Sequence, residues 1–229
     1  MFNRIHNKIY NKLILHFINP IKAIKFDLRK ILFLIKKYKI HNTYNLKIFF
    51  NKKELFQPDY LDLDNLINLI IKIKPKLVLE LGGGYSTLAI AYALDFLEKE
   101  YNHKYRFITF DQSEVYLKIS KSLIPKKLQK NIEFIHSPLI VKKIDNTLMS
   151  FYKDMKILDY DFIYEDRHDH SETKIAGDIY LIEKLTNHPF SFCIDGMKST
   201  VEFYKRNLKR NYKISSSFFH GVNFLIKNY

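Results

Sequence analysis

Five short apolar runs, "KLVLEL", "RFITFD", "IEFIHS", "DFIYED" and "FSFCID", succeed one another between residues 76 and 195, and each closes on or beside a polar or acidic side chain. They have strand length, and the segments between them read as helices. Alternation of this kind predicts a mostly parallel sheet with helices on both faces. Ligands of such sheets bind beyond the carboxyl ends of the strands, so the polar side chains that close the runs are expected to line one working edge. Further on, "YKISSSFF" and "VNFLIKN" flank His220-Gly221, which predicts an antiparallel hairpin finishing the sheet.

The chain before this pattern has another character. Between Met1 and Ile40 there are ten Lys or Arg and one acid, Asp27, while Phe2, Ile5, Ile9, Leu13 and Phe17 recur at helical spacing. Asn19-Pro20 reads as the start of a second helix striped by Ile21, Ile24, Leu28, Leu32 and Ile35. We divide the chain into a basic amphipathic helical extension, 1–52, and a main domain, 53–229. The stripes are expected to pack on the main domain or on a second subunit of a homodimer. Peripheral contact with an anionic membrane surface is the other reading. After a turn at "QPDY", a third helix carries Leu63, Leu66, Ile67 and Ile70 on one face, with Asp62 and Asp64 near its positive end, and stops before Pro75.

Composition excludes several classes. A single cysteine, Cys193, rules out an internal disulfide and a multi-thiolate zinc site. No apolar stretch reaches the length of a membrane span, and the basic first residues lack the cleavage pattern of a secretory signal, so a cytoplasmic location is expected, with the membrane's inner face as its extension. The formal net charge of +14 accompanies a general excess of Lys, Ile, Asn, Tyr and Phe. Charge of that origin reports non-specific attraction and sets a dedicated nucleic-acid partner aside.

"LVLELGGGYSTL" joins the first of the five runs to a helical stretch through three consecutive glycines. A strand ending at Leu81 and turning at once into a helix from Tyr85 needs backbone that a side chain would obstruct. The turn also exposes amides at a helix N-terminus, where an anionic group can be held. The spacing departs from the dinucleotide fingerprint, because Thr87 fills the position of its third small residue.

"VLELGGGYST" instead resembles the first motif of class I S-adenosylmethionine-dependent methyltransferases, an acidic residue followed by Gly-x-Gly. The resemblance covers roughly residues 60–229 and implies a Rossmann-like, doubly wound α/β fold finished by the antiparallel hairpin. It implies that Glu80, Gly82, Gly83 and Gly84, with Tyr85 and Ser86, hold the methionine part of S-adenosylmethionine. It places Asp111 on the ribose hydroxyls with Gln112 beside it, Ser137 near the adenine, and His136 as a weaker neighbour there. On the residues alone, Asp111 also reads as an N-cap for the helix that follows.

The acceptor side is expected at the ends of the fourth and fifth runs. "YDFIYEDRHDHSE" is the densest titratable cluster in the chain, and Asp166, His168 and His170 are its candidates for acceptor contact and proton removal. Asp195 faces the same cleft. Asp166 and Asp195 resemble the magnesium-binding acids of catechol-type O-methyltransferases, but Gly196 stands where a further ligand would be, so no metal is assigned. No "NPPY"-like stretch follows the fourth run, which favours a hydroxyl acceptor. The chain is similar to small bacterial methyltransferases of polysaccharide and glycan assembly, which makes a saccharide or other small polar molecule the expected acceptor. Two alternatives stand beside it: an inactive methyltransferase-like scaffold, and an RNA methyltransferase tethered by the basic helices.

Overall fold

The computed structural model describes residues 60–167, 173, 175–216 and 221–226. The N-terminal extension, His168, His170 and the turn of the C-terminal hairpin therefore lie outside the described residues. In chain order the elements are α1 (Tyr60–Ile73), β1 (Leu77–Leu81), α2 (Tyr85–Tyr101), β2 (Arg106–Asp111), α3 (Glu114–Leu123) and α4 (Lys126–Gln129). There follow β3 (Ile132–His136), β4 (Leu139–Ile144), β5 (Thr147–Tyr152), β6 (Phe162–Glu165), α5 (Asp178–Leu185), β7 (Ser191–Asp195), α6 (Lys198–Asn207), β8 (Tyr212–Ser216) and β9 (Gly221–Ile226).

Seven strands form one sheet in the order β3-β2-β1-β6-β7-β9-β8. The first five in that order pair in parallel, while β9 runs antiparallel to both β7 and β8. The expected sheet and its closing hairpin are both present. The order of connection reverses between β1 and β6, and at such a switch point two successive loops leave the sheet in opposite directions and open a crevice.

The interval between the third and fourth runs, expected to be helical, is a second antiparallel hairpin, β4–β5. Its physical cause is local. Asp145 and Asn146 both adopt left-handed φ, 47° and 63°. That conformation is what a tight two-residue hairpin turn needs, and Asp and Asn tolerate it better than most residues. Asp145 is also held by Tyr180 Oη at 2.6 Å and Lys184 Nζ at 2.8 Å, tying the hairpin tip to α5.

Strand register sorts the side chains. Leu79, Leu81, Ile108, Phe110, Ile163, Phe192, Ile194 and Phe224 share one core with Ile179 and Ile182 of α5 and Val201 and Tyr204 of α6. Phe192 and Phe224 stack at 4.4 Å with rings 8° from parallel. Each fully buried aromatic of this kind contributes about 1.5–3 kcal/mol relative to exposure. On the opposite face α2 is buried along most of its length, because the alanines of "LAIAYAL" let it lie close to its neighbours; the apolar side of α1, Leu63, Leu66, Ile67 and Ile70, is buried as well.

Candidate functional site

The same register carries a second, polar pattern at the carboxyl end of the sheet. Thr109, Glu80, Tyr164, Cys193 and Asn223 are successive partners across β2, β1, β6, β7 and β9, so they project from one face as a row. One step beyond that row lie Asp111, Gly82, Asp166 and Asp195. Four of the five runs thus deliver an acid or a glycine to one edge.

Gly82 and Gly83 make close approaches of different kinds. Gly82 has φ +101°, and a Cβ there would lie 2.6 Å from the Asp166 carbonyl oxygen and 2.7 Å from the Arg167 nitrogen. The turn after β1 is therefore pressed against the backbone leaving β6, at the switch point. At Gly83 a Cβ would meet Ser120 Oγ at 3.3 Å and Asp111 Oδ2 at 3.6 Å. Gly84 differs, since the nearest atom to its Cβ position, Ser86 Oγ, is 4.0 Å away.

Asp111 is 6% exposed, and both its oxygens receive backbone N–H groups: Gly83 donates to Oδ2 at 3.0 Å and Ser113 to Oδ1 at 2.7 Å. These two bonds aim the carboxylate along the edge of the turn. The N-cap of α3 is Ser113, whose hydroxyl accepts from the Tyr116 N–H at 3.3 Å, and not Asp111 as the residues alone allowed.

Glu80 is wholly buried beneath the start of α2. Its Oε2 accepts from Thr109 Oγ1 at 2.6 Å and Thr87 Oγ1 at 2.7 Å, while Oε1 has no hydrogen-bond partner. Thr87 Oγ1 in turn accepts from the Gly84 N–H at 2.9 Å, half of a capping box, so one hydroxyl links the acid, the turn and the helix. Burial pushes the Glu80 carboxyl up to about 7 against the opposing pull of the Thr109, Thr87 and Ser86 hydroxyls, with the charge of Asp111 adding to the rise. Ser86 acts on Glu80 from outside hydrogen-bonding geometry; its own buried Oγ has no hydrogen-bond partner. Tyr85 is buried as the first residue of the helix.

Gln112 is half-buried, and its carbonyl lies 3.2 Å from Nε2 of the exposed His136. Ser137 sits beside Asp111, its N–H on the Asp111 carbonyl at 3.0 Å. Its hydroxyl is engaged by Asp154, donating to Oδ2 at 3.1 Å and accepting from the N–H at 2.9 Å. Asp166 and Asp195 are half-buried at adjacent strand ends, and Tyr164 Oη donates to Asp195 Oδ2 at 3.3 Å. Burial, and next the charge of Asp195, hold the Asp166 carboxyl well above the usual carboxylate range. A cavity at this end of the sheet is lined by Asp62, Asn65 and Leu66 of α1 with Tyr164, Cys193, Asp195 and Asn223. Among the described residues, no group of three or more His, Cys, Asp or Glu is placed to hold a metal ion.

Some of the machinery escaped the sequence. Arg167, beside Asp166, is buried and faces the other way, donating from Nε to Glu165 Oε1 at 2.6 Å and from Nη2 to Glu165 Oε2 at 3.0 Å. Nη2 also binds Asp178, and the guanidinium lies 4.6 Å over the Tyr152 ring. Asp178 is further fixed by the Tyr152 N–H on Oδ1 at 3.1 Å. This network locks the segment against which Gly82 packs. Period-two alternation from Ile163 through Glu165 to Arg167 is the signal that could have found it.

No family model matches the chain, and no curated protein does. Solved structures do resemble it. A caffeoyl-CoA O-methyltransferase candidate from Staphylococcus aureus aligns over 86% of this chain and 99% of its own, with TM-score 0.54 and 18% identity. An SAH-bound methyltransferase from Podospora anserina aligns over 92% and 97%, with TM-score 0.54 and 13% identity. An O-methyltransferase from Bacillus cereus, in complex with SAH, aligns over 85% and 97%, with TM-score 0.50 and 13% identity. Together with the strand order and the closing hairpin, these likenesses show a Rossmann-like fold of the class I methyltransferase kind.

Proposed function

We propose that the protein is an S-adenosylmethionine-dependent O-methyltransferase acting on a saccharide or another small polar hydroxyl acceptor. The observation that carries this reading is the glycine turn held between Glu80 and Asp111, with Ser86 Oγ and Glu80 Oε1 buried and without hydrogen-bond partners beside it. Buried polar atoms left bare are costly, and a zwitterionic amino-acid end offers a carboxylate for the helix N-terminus and Ser86 and an ammonium for the acid. Asp111, aimed by the Gly83 and Ser113 amides at the same edge, is the carboxylate for the ribose hydroxyls. The neighbours crystallised with SAH carry the same fold, which favours the same cofactor here.

The cofactor supplies an electrophilic methyl group on sulfur. What the chain contributes is register and a proton acceptor. Holding two reactants in line replaces a bimolecular encounter, and this term alone is worth about 7–11 kcal/mol in favourable cases. Asp166 stands at this turn with its proton affinity raised by burial and by the charge of Asp195, and its ionised form is the candidate base for an acceptor O–H. Asp195, oriented by Tyr164, is the second acceptor-side carboxylate. His168 and His170, in the segment that follows, share that assignment as proton acceptors.

The test is ligand-induced stabilisation. Addition of SAH at a hundred times its dissociation constant is expected to stabilise the protein by about 2.7 kcal/mol, a clear rise in thermal midpoint. Asp111→Ala is expected to weaken SAH binding at least tenfold and so to remove half or more of that rise at the same SAH concentration. A wild-type midpoint indifferent to saturating SAH and S-adenosylmethionine would contradict the assignment. Methyl incorporation into glycan, small-phenol and RNA pools then separates the acceptor classes.

A further inference from the structure

We propose that the empty site holds Glu80 as the neutral carboxylic acid, and that entry of the cofactor's cationic amino-acid end releases its proton to solvent. This rests on the cofactor reading above and goes beyond it.

The geometry is that of a carboxyl half satisfied. Oε2 is saturated by the Thr87 and Thr109 hydroxyls, whereas Oε1 is buried and has no hydrogen-bond partner. An ionised group would leave a bare negative oxygen out of water, which is far more costly than a bare neutral one. No charge relief comes from the surrounding acids. Asp111 of β2 opposes ionisation of Glu80, and Glu80 in turn opposes ionisation of Asp166 after β6. Asp62 of α1 and Asp195 of β7 add their negative charge to that of Glu80 at Asp166. Tyr164 of β6 and Tyr85 of α2 are both held neutral by burial. A cation arriving beside Oε1 reverses the balance, and the step is simple: Glu80–COOH becomes Glu80–COO⁻, and one proton passes to the buffer. Thr87 ties Glu80 to the Gly84 amide, so the acid that changes charge is joined to the turn the ligand occupies.

The sign follows from linkage. A carboxyl raised in the folded state binds more protons there than in the unfolded chain. Its contribution to stability is therefore full below the unfolded value of 4.5 and is lost as pH rises through about 7. Cofactor affinity runs the other way and strengthens over the upper part of that window.

Calorimetric titration of the full chain with SAH, in two buffers of different ionisation enthalpy, reads the proton directly. We expect release of about nine-tenths of a proton per site at pH 6 and about one-tenth at pH 8, with binding about fivefold tighter at pH 7 than at pH 6. Glu80→Gln is expected to bind SAH more weakly and without release. Should Glu80→Gln fail to fold, Thr109→Val serves instead: it removes a hydroxyl that favours the ionised form and is expected to move the midpoint of release to higher pH. Wild-type binding with equal heats in both buffers, or undiminished release in Glu80→Gln, overturns the inference while leaving the cofactor assignment in place. Absence of any binding or thermal response overturns both.

Discussion

Gly82→Ala is expected to destabilise the protein by about 3 kcal/mol or more, or to prevent folding, and to remove binding of SAH in whatever folded fraction remains. Two costs coincide at this residue. Its φ of +101° lies where L side chains are strained, worth about 1–3 kcal/mol. Its Cβ would also stand within 2.6–2.7 Å of three backbone atoms of Asp166 and Arg167, which cannot swing aside as a flexible side chain could. Relief requires the turn to move off the end of β6, which is the contact that sets the distance from the glycine turn to Asp166. Gly84→Ala provides the contrast, because φ there is 178° and the nearest atom lies 4.0 Å from the new methyl. Its stability is expected to stay within about 0.5–1 kcal/mol of wild type in urea unfolding. Similar losses for the two variants would contradict this account of the turn.

Arg167→Met carries the second large effect, a loss of about 3–5 kcal/mol, or roughly 10 °C in thermal midpoint for a chain of this size. The cost arises less from the missing attraction than from Glu165 and Asp178, both fully buried, left facing each other without their shared cation. Burial raises the Asp178 carboxyl and Arg167 holds it down; without the guanidinium its proton affinity climbs further. The penalty is therefore expected to shrink as pH falls, because a protonated Asp178 no longer carries the charge that Arg167 offsets. Adding Glu165→Gln and Asp178→Asn to Arg167→Met should recover part of the loss, and that non-additivity is the signature of a coupled network. Arg167→Lys keeps the charge but not the two-pronged fork on Glu165, and an intermediate stability is expected.

The sheet was legible because its causes are local. Each run carries its own β-branched and aromatic content, and the acid or glycine that follows marks where it stops. Glu80, the glycines and Asp111 were readable for the same reason. The β4–β5 hairpin is hidden although Asp145-Asn146 announces its turn, because Val141, Lys142 and Lys143 are exposed in succession and break the inside–outside alternation expected of a strand. Ser137 shows what no local pattern supplies. Its hydroxyl partner, Asp154, arrives from beyond that same hairpin. In "YEDRHDH" the concentration of charge suggests a catalytic loop, whereas Glu165 and Arg167 form a buried pair on the core face and Asp166 alone of the three turns toward the cleft. Thr87 and Thr109 were passed over because a threonine's role depends on the acid it meets, and that meeting is made by the pairing of β1 with β2.

A crystal structure with SAH tests the central claim most directly. The account predicts ribose hydroxyls on Asp111 and the amino-acid end against the Gly82–Ser86 turn, with Asp166 bordering the open side of the sulfur. A ligand bound elsewhere, with the Asp111 carboxylate making no contact to it, would contradict the account.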